Sequence, residues 1–315
     1  MRELLAQRLL VVTGKGGAGK TTIATAIGLL AAARGRRTIV VEVGHQDRLS
    51  ALFSLAEANP GREERLEGDL WGLSIDPDRA LLEWLQVLGG RISGRVLATS
   101  GTFQYFAAAA PGAKELVSMV KLWELTESKR RQGRAGYDLV VLDAPATGHA
   151  LGMLESPRTF GAIARVGAVA AQAERVRQLL ADPARTSYLA VAQPAGMAVT
   201  ETLELERELQ RRLGLQLHAV VVNGALPRRF SEQELQLVER AKHPIASSAA
   251  RAARAAARAA RSVHERARFQ RNQLRRLRRR GLPVVHVPFR FEAELDLQSL
   301  REIGARLGAR LERLR

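Results

Sequence analysis

Residues 9–22 read Leu9-Leu10-Val11-Val12-Thr13-Gly14-Lys15-Gly16-Gly17-Ala18-Gly19-Lys20-Thr21-Thr22. A short apolar run, the pattern of a buried strand, enters a glycine-rich loop, and Ile23-Ala24-Thr25-Ala26-Ile27-Gly28-Leu29-Leu30 follows with the pattern of a helix. Strand, glycine-rich turn and helix N-terminus in that order make a phosphate cradle: the glycines let backbone N–H groups close on the oxygens, and the helix dipole favours negative charge. Lys20 reaches the β/γ oxygens of a nucleoside triphosphate, and the Thr21 hydroxyl suits Mg2+. Gly14, Gly16, Gly17, Ala18, Gly19 and Thr22 complete the cradle. The expected ligands are ATP and Mg2+, and the expected fold class is α/β, with a mostly parallel central sheet flanked by helices.

A single lysine suffices for such a loop, so Lys15 carries extra information. It reads either as a solvated turn residue or as a group aimed at a nucleotide held by a second subunit, adding charge where the γ-phosphate accumulates it during hydrolysis. The second reading requires a nucleotide-dependent dimer. A matching acidic element lies downstream. Tyr137-Asp138-Leu139-Val140-Val141-Leu142-Asp143 is an apolar strand ending in a carboxylate, and Ala144-Pro145-Ala146-Thr147-Gly148-His149 is expected to leave it as a loop. Asp143 can hold Mg2+ through water, and Gly148 can turn a backbone N–H toward a γ-phosphate.

Composition excludes several alternatives. With no cysteine in 315 residues, disulfides, thiolate metal sites and cysteine catalysis are ruled out. No apolar run approaches a membrane-spanning length, and the start Met1-Arg2-Glu3-Leu4-Leu5-Ala6 lacks a signal-peptide cleavage pattern; a cytoplasmic location is expected, with peripheral association at a membrane as a further option. Strands are expected at 8–13, 38–43, 137–142, 187–192, 217–222 and 283–287, alternating with helical stretches. Residues 1–315 are expected to form one nucleotide-binding domain. Within it, 75–136 and 150–180 make a helical subdomain, and 247–280 makes a long basic helix.

The residues quoted resemble the arsenite-transport and tail-anchored-protein-targeting ATPases, the ArsA-like branch of the deviant Walker A ATPases. Gly14–Thr22 is similar to the family's phosphate loop, with Lys15 in the place of its signature lysine. Asp143-Ala144-Pro145-Ala146-Thr147-Gly148-His149 resembles its Asp-Thr-Ala-Pro-Thr-Gly-His switch. Further likenesses are Ile75-Asp76-Pro77, Ala110–Leu116, Val220-Val221-Val222-Asn223 and Val287-Pro288. The resemblance implies Lys15, Lys20, Thr21 and Asp143 as phosphate and metal residues, Asn223 as the adenine-recognising asparagine with Pro288 nearby, and a homodimer. From spacing alone, Asn223 reads first as a strand-end turn former, and it is the resemblance that implies the adenine role.

The first switch departs from the family. Where the family has Asp-Pro-Ala-His, this chain has Gly44-His45-Gln46-Asp47, so the aspartate that helps activate water is missing. Asp47 is the expected substitute, with Glu42 as the alternative, and hydrolysis is expected to be slow. Absence of cysteine also removes the family's thiolate arsenite site and its dimer-clamping zinc site.

Residues 251–280 hold twelve arginines against the single acid Glu265, with Arg251, Arg254, Arg258 and Arg261 in one stripe. A second stripe, Ala256, Ala260, Val263, Ala267, Leu274 and Leu277, is expected to pack on the core or on a partner. Two functions follow. The first is a dimeric ATPase switch that opens and closes a site for a hydrophobic protein client, lined by Phe103, Phe106, Leu116, Met119, Leu122, Trp123, Met153 and Leu154. The alternative is a partition-type or regulatory ATPase held on DNA or an anionic membrane by the basic helix. Without interleaved aromatics, no specific nucleic-acid recognition is expected.

Overall fold

The computed structural model describes residues 2–44, 48–53, 61–88, 112–127, 136–163, 167–240, 248–292 and 294–312. Among these, the strands are β1 (Leu9–Gly14), β2 (Thr38–Val43), β3 (Glu64–Glu67), β4 (Leu70–Ile75), β5 (Leu139–Asp143), β6 (Thr186–Ala192), β7 (Ala219–Ala225) and β8 (Val284–Pro288). They form one sheet in the order β3-β4-β2-β5-β1-β6-β7-β8. Every pairing is parallel except β3 with β4. The six expected strands are present within a few residues of their expected bounds, and β3 and β4 are additions.

Parallel strands buried on both faces read as continuous apolar runs, and β1, β2 and β5 to β7 do so. Alternate residues serve opposite layers. Leu10, Val12, Val40, Val141, Leu189 and Val221 face α1 (Arg2–Ala6), α2 (Lys20–Ala33) and the last helix, Leu297–Glu312. Leu9, Val11, Val41, Leu142, Ala190 and Val222 face the other layer. That layer contains α5 (Ala113–Glu127), α6 (Thr147–Ile163), α7 (Ala168–Ala181) and α8 (Gly196–Glu208), following the short α3 (Arg48–Leu52) and α4 (Pro77–Leu88). A five-residue π turn, Leu209–Leu213, ends α8. The chain continues through α9 (Glu232–Arg240), α10 (Ser248–Arg279) and α11 (Leu297–Glu312).

The first layer is tight. A Cβ at Gly304 on α11 would lie 2.4 Å from the Ala26 carbonyl oxygen, so only glycine lets these two helices approach. Ile27 is wholly buried between α2 and the sheet, and its truncation to alanine should cost about 2–5 kcal/mol.

Two expectations need correction. Leu116, Met119, Leu122, Met153 and Leu154 are each at most 3% exposed and belong to the core beneath the sheet, so they line no open groove. Their apolar spacing serves packing of α5 and α6 on β1 and β5. Trp123 is partly buried against the same core, while Phe103 and Phe106 lie outside the described residues. On α10 the inward stripe is shifted. Ala256 is exposed, and Ala250, Ala257, His264, Ala267, Leu274 and Leu277 are buried, following a near-heptad spacing.

Candidate nucleotide site

The sheet order reverses about β1, with β5 on one side and β6 on the other, and the chain crosses from β1 through α2 to β2. In such a sheet, the crevice beyond the carboxyl ends of the strands is the place for a ligand. Register brings Val12 opposite Asp143 and Gly14 opposite Val191, so the phosphate loop and the end of β5 open into the same crevice.

The loop is held by its surroundings. Gly14 has φ +141°, and a Cβ there would lie 2.2 Å from the Val191 carbonyl oxygen. Gly19 has φ +90°, and a Cβ would lie 2.2 Å from Asn223 Nδ2. Both positions need glycine on steric and conformational grounds. Asn223 Nδ2 donates to the Ala18 carbonyl at 3.0 Å, and Gln193 Nε2 donates to the Gly17 carbonyl at 3.2 Å. Added Cβ atoms at Gly16 and Gly17 would meet nothing within 4 Å, which leaves open space above the centre of the loop.

Helix α2 begins at Lys20, and the first N–H groups of a helix have no partner within it. Lys20 is buried, and its ammonium donates back to the Lys15 carbonyl at 3.2 Å. Burial lowers its pKa from the ordinary lysine value; the Asp143 carboxylate opposes this and the Arg48 guanidinium adds to it. Thr21 Oγ1 donates to Asp143 Oδ2 at 2.5 Å. The second oxygen, Asp143 Oδ1, is buried and has no hydrogen-bond partner among the described residues. Burial holds the Asp143 carboxyl above the ordinary aspartate range, although Thr21, Lys20 and Arg48 pull it down. A buried acid with an unmatched oxygen, beside a hydroxyl at a helix N-terminus, fits a hydrated divalent cation.

Glu42 stands opposite Asp143 in the β2–β5 register and is 3% exposed, so both acids point to the α2 face. Asp47, the expected substitute for the missing first-switch acid, lies outside the described residues. Gly44 follows β2 with φ +102° and offers no side chain.

The second switch also departs from expectation. Thr147, Gly148 and His149 are already helical, as the first turn of α6, and only Ala144-Pro145-Ala146 connects β5 to it. Pro145 precedes the helix, the Ala146 carbonyl accepts the Ala150 N–H at 3.0 Å as its cap, and Ala150-Leu151 anchor the turn to the core. The Gly148 N–H therefore belongs to the unpaired first turn, where helices receive anions.

Thr22 follows Thr21 on α2, half-buried. Pro288 ends β8 beside Asn223 and Ala225 of β7. Sequence reading missed three features of this rim. Phe289 and Phe291 are exposed, edge to face at 4.9 Å, and Arg229 stacks over Phe291 at 4.8 Å. Arg48 lies close enough to act on Lys20 and Asp143. Glu201 on α8 pairs with Lys15 at 2.7 Å. The signal for the aromatic pair was Pro288-Phe289-Arg290-Phe291; the other two arise from tertiary folding alone.

Comparison with known proteins agrees with this geometry. A family model described as anion-transporting ATPase matches residues 7–166 and 160–246. The chain is 34% identical over 236 residues to the ATPase BagA of Mycobacterium tuberculosis, covering 72% of this chain and 68% of that protein. It is 26% identical to an arsenical pump-driving ATPase of Acidiphilium multivorum, over 71% of this chain and 40% of that one. It is 24% identical to the ATPase ASNA1 homolog 1 of Paramecium tetraurelia, over 68% and 74% respectively. With a doubly wound sheet, a phosphate cradle at its switch point and a matching family model over most of its length, the chain belongs to the anion-transporting (ArsA) ATPase family.

Proposed function

We propose that this chain is a Mg2+-dependent ATPase that works as a homodimeric switch and passes its nucleotide state to a helical site for an apolar protein segment. The observation that carries the dimer is the divergence of the two loop lysines. Lys20 folds over its own loop, whereas the Lys15 ammonium leaves it toward α8 at the rim. A lysine directed out of its own cradle is placed to serve another.

In this reading, the backbone N–H groups of Gly14–Thr22 and the Lys20 ammonium take the phosphates, and Thr21 and Asp143 hold the metal shell. A Mg2+ held by these residues would supply charge neutralisation at the phosphate oxygens. The Gly148 N–H answers to the γ-phosphate. One Asn223 N–H is engaged with Ala18, and an amide retains a second N–H and acceptor capacity on its oxygen for the adenine edge. Glu42 or Asp47 orients the attacking water in the absence of an acid at Gly44, and turnover is slow.

Helix α6 starts at the switch and packs on both α5 and α7, so a shift of its first turn is felt across that layer. Resemblance to tail-anchored-protein-targeting ATPases supports an apolar client there. Light scattering tests the reading: the mass should double with Mg2+ and the non-hydrolysable analogue AMP-PNP and not with ADP. Strict monomers at saturating AMP-PNP would reject it.

The exposed Arg251, Arg258, Arg261 and Arg268 on α10 favour a second reading, attachment to an anionic membrane or DNA. Among the described residues, no helix is long and apolar enough to cross a membrane. Co-sedimentation with anionic vesicles or DNA, with and without ATP and across a salt series, decides it.

A further inference from the structure

Lys15 is held at the tip of its loop. Its ammonium donates to Glu201 Oε1 at 2.7 Å and lies 3.6 Å from Met197 Sδ, both on α8 of the same chain. Glu201, Glu204 and Glu208 follow helical spacing along α8 and line a cavity of about 360 Å3. Thr147, Gly148 and Leu151, at the start of α6, line the same cavity. Glu208 is engaged elsewhere, by Arg211 at 2.8 Å and Arg212 at 3.8 Å. The carboxylate that meets Lys15 is therefore Glu201.

We infer that Glu201 is the positioning residue for Lys15: it holds the ammonium on α8 within one chain, and pairing of two chains around nucleotide requires that hold to be released. The inference rests on the trans role of Lys15 proposed above. The one ammonium that pairs with Glu201 at 2.7 Å is the group the trans role requires, so holding it on α8 competes with its reach to a nucleotide in another protomer. Release is then graded by charge. A triphosphate presents more negative charge to the ammonium than a diphosphate does, and it alone is expected to win. Both partners are partly open to water, Lys15 at 46% and Glu201 at 33%, so the hold is weak enough to be reversed. The contact thus sets the nucleotide concentration at which pairing occurs, without touching the cradle itself.

The test uses the full chain and its Glu201→Gln variant, a substitution at a half-buried position that keeps the side chain's size. Each is titrated with AMP-PNP in Mg2+, with mass read by light scattering. ADP affinity is read by calorimetry. The AMP-PNP concentration at half-pairing should fall about two- to five-fold in the variant, the range an exposed ion pair supplies. ADP affinity should stay unchanged. In turnover, KM for ATP should fall by the same factor with kcat unchanged, and Glu201→Asp should return both toward wild type. A half-pairing concentration that is unchanged or higher in Glu201→Gln, while wild type still pairs, overturns the hold and leaves the dimer standing. If neither protein pairs at AMP-PNP concentrations that saturate the cradle, both readings fall together.

Discussion

Thr21 donates its hydroxyl hydrogen to Asp143 Oδ2 at 2.5 Å, tying the first turn of α2 to the carboxyl end of β5. The two residues are 122 positions apart in the chain, and both belong to the proposed metal shell. Because one group fixes the other, Thr21→Ala should weaken Mg2+-dependent ATP binding about 10–100-fold, the scale for loss of a metal-organising partner. Calorimetry with and without Mg2+ checks this. Equal affinity in Thr21→Ala and wild type would remove Thr21 from the shell.

Asp143→Asn should trade binding for stability. The folded carboxyl titrates above its ordinary value of 3.8, because burial outweighs the pull of Thr21, Lys20 and Arg48. A raised value means the neutral form is the better accommodated: its stability contribution is present below the ordinary value and lost as pH rises through the folded one. The amide variant cannot ionise, so it should melt higher than wild type near neutral pH and alike below about pH 4. The gain should be about 2 °C per kcal/mol for a domain of this size. A lower melting temperature at neutral pH would show that the charge is welcome there. Metal-dependent nucleotide binding should be lost in either case.

Lys20→Ala removes the cation that acts on Asp143 and that the proposed function assigns to the phosphates. Mg·ATP affinity should fall by about 1.5–3 kcal/mol, the worth of a hydrogen bond to a charged group, with ADP less affected. Calorimetry with both nucleotides gives the comparison, and an equal loss for ATP and ADP would place Lys20 away from the γ-phosphate.

Gly19→Ala places a methyl 2.2 Å from Asn223 Nδ2 at a residue with φ +90°, whereas Gly16→Ala meets nothing within 4 Å. Denaturant unfolding should show Gly19→Ala destabilised by about 2–4 kcal/mol and Gly16→Ala changed by less than about 0.5 kcal/mol. A tolerated Gly19→Ala would mean that the loop and Asn223 are not in contact.

The strands that sequence reading anticipated are those whose burial on both faces leaves a continuous apolar run, such as Leu139–Leu142 and Val220–Val222. Strands β3 and β4 escaped it for different reasons. Glu64-Arg65-Leu66-Glu67 is a polar edge held by its ladder with β4, and Gly72 interrupts β4, where Trp71 is covered by Arg37 at 4.7 Å. The cradle was legible because its chemistry is local in sequence. The partners of Lys15 and Asp143 on α8 and α3 were not, since Glu201 and Arg48 look like ordinary surface charges until the fold brings them in. A core helix and a groove helix also share one apolar pattern, which is why Leu116 and Met153 suggested a lining that burial contradicts.

Mixing Lys15→Ala chains with Lys20→Ala chains tests the central claim, a shared site in a nucleotide-driven pair, most directly. In a mixed pair one site keeps its own Lys20 and receives Lys15 from the other chain, while the second site lacks both. Each variant alone should be inactive. Random mixing makes about half of the pairs mixed, each with one intact site of two, so ATP turnover should recover to about a quarter of wild type. No recovery, with mixed pairs demonstrated by native mass measurement, would contradict the account: Lys15 would then act within its own chain.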